Sequence, residues 1–381
     1  MKNLFTLLSV IVILSSCKTV TNIEDKSINP PVMEPAIQQW LSYNGNGSMP
    51  HIVLVSGDEE YRSEEALPQL AKILSKRHGF KCTVLFAQDP ALPGIVDPNY
   101  VNNIPGLEAL ANADLMILFT RFRALPDEQM LHIDNFLKKG KPLIGIRTAT
   151  HAFRFDNAPF DSNYRHYGNY FKEDNVWIDG FGRLVMGEHW ISHHGEHGQQ
   201  STKGILAPSA KDHPITNGIM DGNIWGPSDV YGVRLPLPDD AKPIVLGQVL
   251  DRTLAYDEED PLLGMRSTDD QLPNLVSKEN NDGTLNTYNQ NDPMMPIAWT
   301  KTYQIPTGKK GTCFSTTIGA ATDLLSEGTR RLMVNAVFWL LDKEVPQKAN
   351  VDLVGTYAPT RFKFQKEGYW KEKNIRIADL K

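Results

Sequence analysis

The chain has 381 residues, 41% of them hydrophobic and 22% charged, with 28 Gly and 25 Pro. That composition excludes collagen, coiled coil and wholesale disorder, and a chain of this length buries roughly 75% of its unfolded surface without disulfide staples. The net charge is −6 with no basic block, which leaves a nucleic-acid partner without electrostatic support. Three cysteines, Cys17, Cys82 and Cys313, exclude a cysteine zinc site and a disulfide framework.

Lys2 precedes an almost wholly apolar run of eleven residues, Leu4 to Leu14. It is too short to span a bilayer, which needs about 20 residues, and fits the core of a signal peptide. Leu14-Ser15-Ser16-Cys17 resembles a bacterial lipobox, in which the chain is cut before Cys17 and the thiol is lipidated; the alternative is a plain secretory signal with a chance cysteine. Acyl chains contribute ~0.8 kcal/mol per buried CH₂, so two or three of them anchor a protein firmly. The expectation is a lipid-anchored protein of the bacterial envelope, periplasmic or on the outer-membrane surface. Residues 1–17 form the signal segment and 18–48 a flexible tether, with one short helix at Pro35 to Tyr43.

His51 to Ser56 is an apolar run ending at Gly57, the form of a buried parallel strand. Ser63 to Arg77 carries apolar residues at helical spacing, with Ser63 as N-cap and Gly79 as stop. Lys81 to Phe86 is a second strand, Ile104 to Ala111 a short helix, and Asp114 to Thr120 a third strand. Pro126 to Lys139 is a helix closed by Gly140, and Pro142 to Arg147 a fourth strand. This βαβ cadence predicts an α/β fold with an open, mainly parallel sheet and helices on both faces. Ligands in such sheets bind beyond the carboxyl ends of the strands. Those ends carry Asp58, Glu59, Glu60, Tyr61 and Arg62, then Arg121 to Arg123, then Arg147 to His151.

After His151 the cadence breaks. Residues 251–295 are long, polar and Asn/Asp-rich and read as an inserted loop. Met295 to Lys301 and Gly311 to Thr317 read as strands, and Leu324 to Asp342 as an amphipathic helix. The domain is placed at 49–345, with an extended tail, 346–381, packed on it.

Six segments together resemble the trehalose-utilisation (ThuA-like) family: Ser56 to Arg62, Gly145 to His151, His193-His194-Gly195, His213-Pro214-Ile215, Trp225 to Tyr231, and Thr316 to Asp323. Their order and spacing carry the resemblance, from about His51 to the tail. It implies a flavodoxin-like sheet similar to class I glutamine amidotransferases, and a link to carbohydrates, including keto-sugars and disaccharides. Amidotransferases place a cysteine nucleophile on the tight turn after a strand. Here that turn is Arg147-Thr148-Ala149-Thr150, so glutaminase activity is not expected. Thr148 reads as a cap or a substrate contact.

Four of the ten histidines fall within nine residues: His189, His193, His194 and His197. Neutral imidazoles ligate a divalent metal such as zinc, and they also transfer protons. Gly187, Gly195 and Gly198 argue for a loop. Both readings stay open, together with a purely structural loop. Glu59 or Glu60 is a candidate general base, and His151 lies at the ligand end of the sheet. Arg147 could clamp a polar ligand or pair with Asp58 or Glu59, and Arg62 lies beside it among the substrate-binding candidates. Trp190, Trp225 and Tyr231 could stack on sugar rings, and Asp229 could accept a hydroxyl. The leading expectation is an envelope lipoprotein that acts on a carbohydrate by acid–base or metal-assisted chemistry, through His151, His193, His194 and a carboxylate. The alternatives are a non-catalytic carbohydrate-binding lipoprotein and a structural partner in the envelope.

Overall fold

Six runs that read as strands in the sequence pair with four further segments into one ten-stranded sheet. The computed structural model describes residues 37–279 and 284–381. The signal segment with Cys17, and residues 18–36 of the expected tether, lie outside the described residues. The strands of the sheet are β1 (Trp40–Tyr43), β2 (His51–Gly57), β3 (Lys81–Phe86), β4 (Leu115–Thr120), β5 (Leu143–Ile146), β6 (Gln200–Leu206), β7 (Trp225–Gly226), β8 (Lys242–Asp251), β11 (Met295–Tyr303) and β12 (Gly311–Thr316). A separate hairpin joins β9 (Val276–Glu279) to β10 (Leu285–Tyr288). The sheet order is β1-β3-β2-β4-β5-β12-β11-β8-β6-β7.

The expected mainly parallel sheet is corrected to a mixed one. Parallel pairing holds from β3 through β2, β4 and β5 to β12. Beyond β12 every pairing is antiparallel, and so is that of β1 at the other edge. The short helix expected at Pro35 to Tyr43 is also corrected: Trp40–Tyr43 is an edge strand, alternately exposed and buried, paired with β3. The inserted loop at 251–295 contains the β9–β10 hairpin.

Helix α1 (Ser63–His78) has Glu64 and Glu65 in its first turn and Lys76 and Arg77 in its last, both favourable to the helix dipole. Its N-cap is Arg62 rather than the expected Ser63, and Gly79 closes it in the left-handed conformation at φ 77°. Helix α2 is Asp127–Lys138 and α3 is Glu327–Leu340. Ser326 caps α3, accepting the Thr329 N–H at 3.3 Å, and this separates α3 from the 3₁₀ turn at Ala321–Leu325.

Strand residues alternate between the two faces. Ile52 and Leu54 of β2 pack with Leu67 and Leu70 of α1 and Leu332 of α3. Val53 and Val55 pack on the other face with Met130 and Ile133 of α2. Helices therefore cover both faces of the parallel strands and leave their carboxyl ends open for a site. Residues 346–381 lie against this body through Val351, Phe362, Trp370 and Ile377, and include a short helix, α4 (Tyr369–Lys373). No described helix is long and apolar enough to cross a membrane.

Candidate functional site

The turns after β2 and β5 meet across the end of β4. Asp58 makes that junction: its Oδ1 accepts the N–H of Glu60 at 2.8 Å and that of Tyr61, and its Oδ2 accepts the Thr148 hydroxyl at 2.5 Å. Asp58 and Thr148, both expected to meet substrate, are fully buried and hold the two turns together.

Arg147 occupies the tight turn after β5 with φ 45°. Its guanidinium is fully buried between the rings of Tyr61, 4.0 Å away, and Tyr231, at 4.3 Å. It donates to Asp229 Oδ1 at 2.9 Å and to the Thr317 carbonyl at 2.6 Å. Arg147 thus pins Asp229 instead of clamping a ligand. Glu59 pairs with Arg121 and, at 2.6 Å, with Arg123. Two cations on one carboxylate leave Glu59 poorly placed as a base. Glu60 differs. Burial and the neighbouring Asp58 push its carboxyl up to about 8, against the opposing charges of Arg121 and Arg147. A carboxyl so shifted is mostly protonated at neutral pH, even with Arg121 Nε 3.6 Å from its Oε2.

The histidine loop is an irregular segment zipped to residues 229–232. His194 and Gly195 donate their N–H groups to the Val230 carbonyl at 2.9 and 3.0 Å, and Gly232 donates to Ser192 at 2.9 Å. A close approach at Gly182 seats the loop's start: a Cβ there would lie 1.9 Å from the Thr150 carbonyl oxygen. His193 Nδ1 then lies 2.7 Å from Asp229 Oδ2, and His197 Nδ1 lies 3.1 Å from Oδ1. Burial alone would raise the Asp229 pKa, but the two imidazoles and Arg147 outweigh it and hold the carboxyl well below the usual range. An ionised carboxylate only accepts, so both Nδ1 atoms are assigned as donors, which leaves both Nε2 atoms as bases. His197 Nε2 faces Glu60 Oε1 at 3.4 Å.

These groups border a cavity of about 110 Å³ lined by Glu60, Arg121, Phe122, His151, Trp190, His193, Tyr231 and Phe364. Burial, with Arg121 and Arg147 nearby, holds the His151 imidazole well below its ordinary pKa, so it stays neutral. Larger hollows exist, including one of about 800 Å³ at the C-terminal end of α1, but that one gathers backbone turns and basic side chains and no acid–base pair.

Only part of the expected four-histidine metal set comes together. His193, His197 and Asp229 place their ligand atoms within 4.8 Å of one another. His194 instead bonds the Gln290 carbonyl at 2.7 Å, and His189 turns to Asn169 at 3.2 Å and Asp179 at 3.5 Å. A His₂Asp set suits zinc or a similar ion. Arg147 on the same carboxylate is an unfavourable neighbour for a second cation.

Two further expectations are corrected. Arg62 bonds the carbonyls of Arg361 at 3.3 Å and Lys363 at 2.6 Å, away from the cavity. Trp225 is 5% exposed and belongs to the core. Tyr61, Arg121 and Phe122 were placed at the ligand ends of the strands from the sequence but given no role, and Phe364 was not named. Phe364 lies in the C-terminal tail, and nothing local marks it.

No family model matches this chain, and no curated protein matches it. Among solved structures it is similar to one named as ThuA-like from Parabacteroides merdae, at 14% identity over 83% of this chain and 98% of that one, with a TM-score of 0.43. It is also similar to an exo-β-1,4-mannosidase from Opitutaceae bacterium strain TAV5, at 8% identity over 77% of this chain and 36% of that one, with a TM-score of 0.26. At these TM-scores neither likeness bears on the mechanism.

Proposed function

We propose that the chain is a ThuA-like protein with a flavodoxin-like core that performs acid–base chemistry on a carbohydrate, a keto-sugar or disaccharide among the candidates, while anchored in the bacterial envelope through Cys17. Two features support the family reading. The parallel strands run β3-β2-β4-β5-β12, which in chain order is the 2-1-3-4-5 arrangement of flavodoxin-like sheets. Resembling segments that lie far apart in the sequence, Ser56 to Arg62, Gly145 to His151, His193 to Gly195 and Asp229 to Tyr231, converge on one cavity.

The chemical reading rests on one observation: the buried Glu60 carboxyl, whose pKa burial raises, and the Asp229-held His193 border the same cavity. Asp229 fixes the His193 tautomer, so Nε2 can take a proton as Glu60 gives one. His197 Nε2, a part-exposed base 3.4 Å from Glu60 Oε1, can take a proton from solvent and pass it to Glu60 after turnover. Glutamine hydrolysis has no nucleophile in this arrangement. Cys82 and Cys313 are buried within strands, and burial raises both thiols, Cys313 to about 12.

With oxidised and plain disaccharides as substrates, Glu60→Gln and His193→Ala should each cut turnover by about 10²–10⁴-fold. Full activity in both would refute the acid–base reading. The His193–His197–Asp229 set supports a second reading, a bound divalent metal. Under it, a chelator lowers the melting temperature, because bound metal stabilises the fold by RT ln(1 + [L]/Kd). An intact mass without an acyl adduct on Cys17 would remove the anchor.

A further inference from the structure

The C-terminal segment is tied to the very turn that carries the acid. The Thr360 N–H and hydroxyl donate to Glu65 at 2.7 and 2.6 Å. The Arg62 guanidinium donates to the Arg361 and Lys363 carbonyls, and the Lys363 N–H donates to the Glu60 carbonyl at 3.0 Å. Arg62 makes these bonds from a left-handed backbone at φ 61°, uncommon for a residue with a side chain. The strap belongs to no strand or helix, and neighbouring side chains in it go to different surroundings. Arg361 turns to Glu258 at 2.8 Å, whereas Phe362 packs on Tyr61 and His197, with ring centres 5.3 Å from each. Phe364, two residues on, reaches the cavity mouth.

We propose that this strap, Thr360 to Phe364, is one wall of the ligand cleft, and that Phe364 is its specificity-determining residue, presenting its ring to the flat apolar face of the non-reacting part of a carbohydrate ligand. The proposal rests on the carbohydrate reading above and assigns to the strap the selection of what lies outside the cavity. At about 110 Å³ the cavity is well under the ~300 Å³ at which small-molecule sites begin, so it seats only the reacting end of a ligand. The remainder must lie on the rim. There, aromatic rings alternate with cations: Phe364 and Phe122 hold Arg121 between them at 4.7 and 4.6 Å, and Arg154 lies 5.6 Å from Phe122 and 5.1 Å from Tyr170. Stacking on guanidinium groups fixes the rings. Phe364 nevertheless remains 53% exposed, the most open of these rings. A pyranose ring has an apolar C–H face and a hydroxyl rim. A fixed aromatic face accepts the first, while Glu60, His151 and His193 below meet the second.

The test is calorimetric titration of the full-length chain with methyl and phenyl glucosides, each as both anomers. The wild-type chain should bind a phenyl glucoside more tightly than its methyl counterpart. Phe364→Ala should weaken binding of the phenyl glucoside about three- to ten-fold more than that of the methyl glucoside, and Phe364→Trp should restore the preference. Because Phe364 is exposed, its truncation leaves the core intact. If both glucosides bind but the wild-type chain shows no phenyl preference, or Phe364→Ala leaves it unchanged, the proposal is overturned and the carbohydrate reading stands. If no glucoside binds the wild-type chain, the carbohydrate reading fails and takes the proposal with it.

Discussion

His189 and His193 lie four residues apart in one loop, and each touches a buried carboxylate, yet the two surroundings differ. Around His189, Glu188 accepts from Arg234 at 2.6 and 2.9 Å and from Arg183 at 3.3 Å. Asp179 pairs with Arg234 at 3.1 Å and Lys172 at 3.3 Å. Two carboxylates meet three cations, and burial holds His189 below its ordinary pKa despite Asp179 and Glu188. In this network both carboxylates are committed to cations, and neither lines the site cavity. Around His193, Asp229 meets one guanidinium and two imidazoles whose Nε2 atoms remain available, beside a cavity that also holds a protonated carboxyl. Residue type is the same in both places. What separates a brace from a site is an unused proton position next to open volume.

The largest expected effect follows from that difference. Asp229→Ala leaves the fully buried Arg147 without its carboxylate, and should cost about 3–5 kcal/mol of stability together with most of the turnover. Glu188→Ala should cost only about 1–3 kcal/mol and leave turnover in place, because Arg234 is half exposed and can turn to water. Urea unfolding and steady-state rates on both variants check this. Equal losses would erase the distinction between site and brace.

The pH dependence of turnover above neutrality should belong to the Glu60 cluster alone. The folded pKa of Glu60, about 8, is raised above its ordinary 4.5. As the acid it works in its protonated form, so turnover should fall about tenfold per pH unit above 8. The stability it contributes is fully present below about pH 4.5 and is lost as pH rises through about 8. Glu60→Gln should therefore flatten the fall in melting temperature across that window. Glu64, also buried and pushed up to about 8, adds the same slope to both proteins and cancels in the difference. An unchanged slope in Glu60→Gln would mean that the carboxyl is ionised in the fold.

The parallel half of the sheet was legible because each strand is an apolar run between turn residues. Of the antiparallel half, only Met295 to Lys301 was read as a strand. Gln200–Leu206 reads as polar, yet it is largely buried because its polar groups have partners: Thr202 donates to the Ser228 carbonyl at 2.7 Å, and Gln200 to Asp251 at 2.8 Å. In β8, Ile244-Val245-Leu246 and Val249-Leu250 did carry a strand signal. Adjacency of the turns after β2 and β5 followed from topology. The pairing of His193 with Asp229 did not, because two irregular segments, 36 residues apart in sequence, meet through a few backbone hydrogen bonds. Nothing in a histidine's immediate neighbours announces which carboxylate it will face.

The smallest effect tests how firmly the His189 network holds. The side chain of Lys172 is 68% exposed, and its ammonium lies 3.3 Å from Asp179. An exposed lysine loses side-chain entropy when it pairs and is screened by solvent and salt, so such contacts contribute about 0–1 kcal/mol. Asp179 keeps Arg234 at 3.1 Å and His189 at 3.5 Å when Lys172 is removed. Lys172→Ala should therefore change stability by less than about 1 kcal/mol, less still in high salt, with turnover unaltered. A loss of several kcal/mol, or any fall in turnover, would mean that the brace depends on its outermost cation and transmits strain along the loop to His193. The two neighbourhoods would then behave as one coupled unit, and a double-mutant cycle between Lys172 and His193 would return a coupling energy above about 0.5 kcal/mol in place of simple additivity.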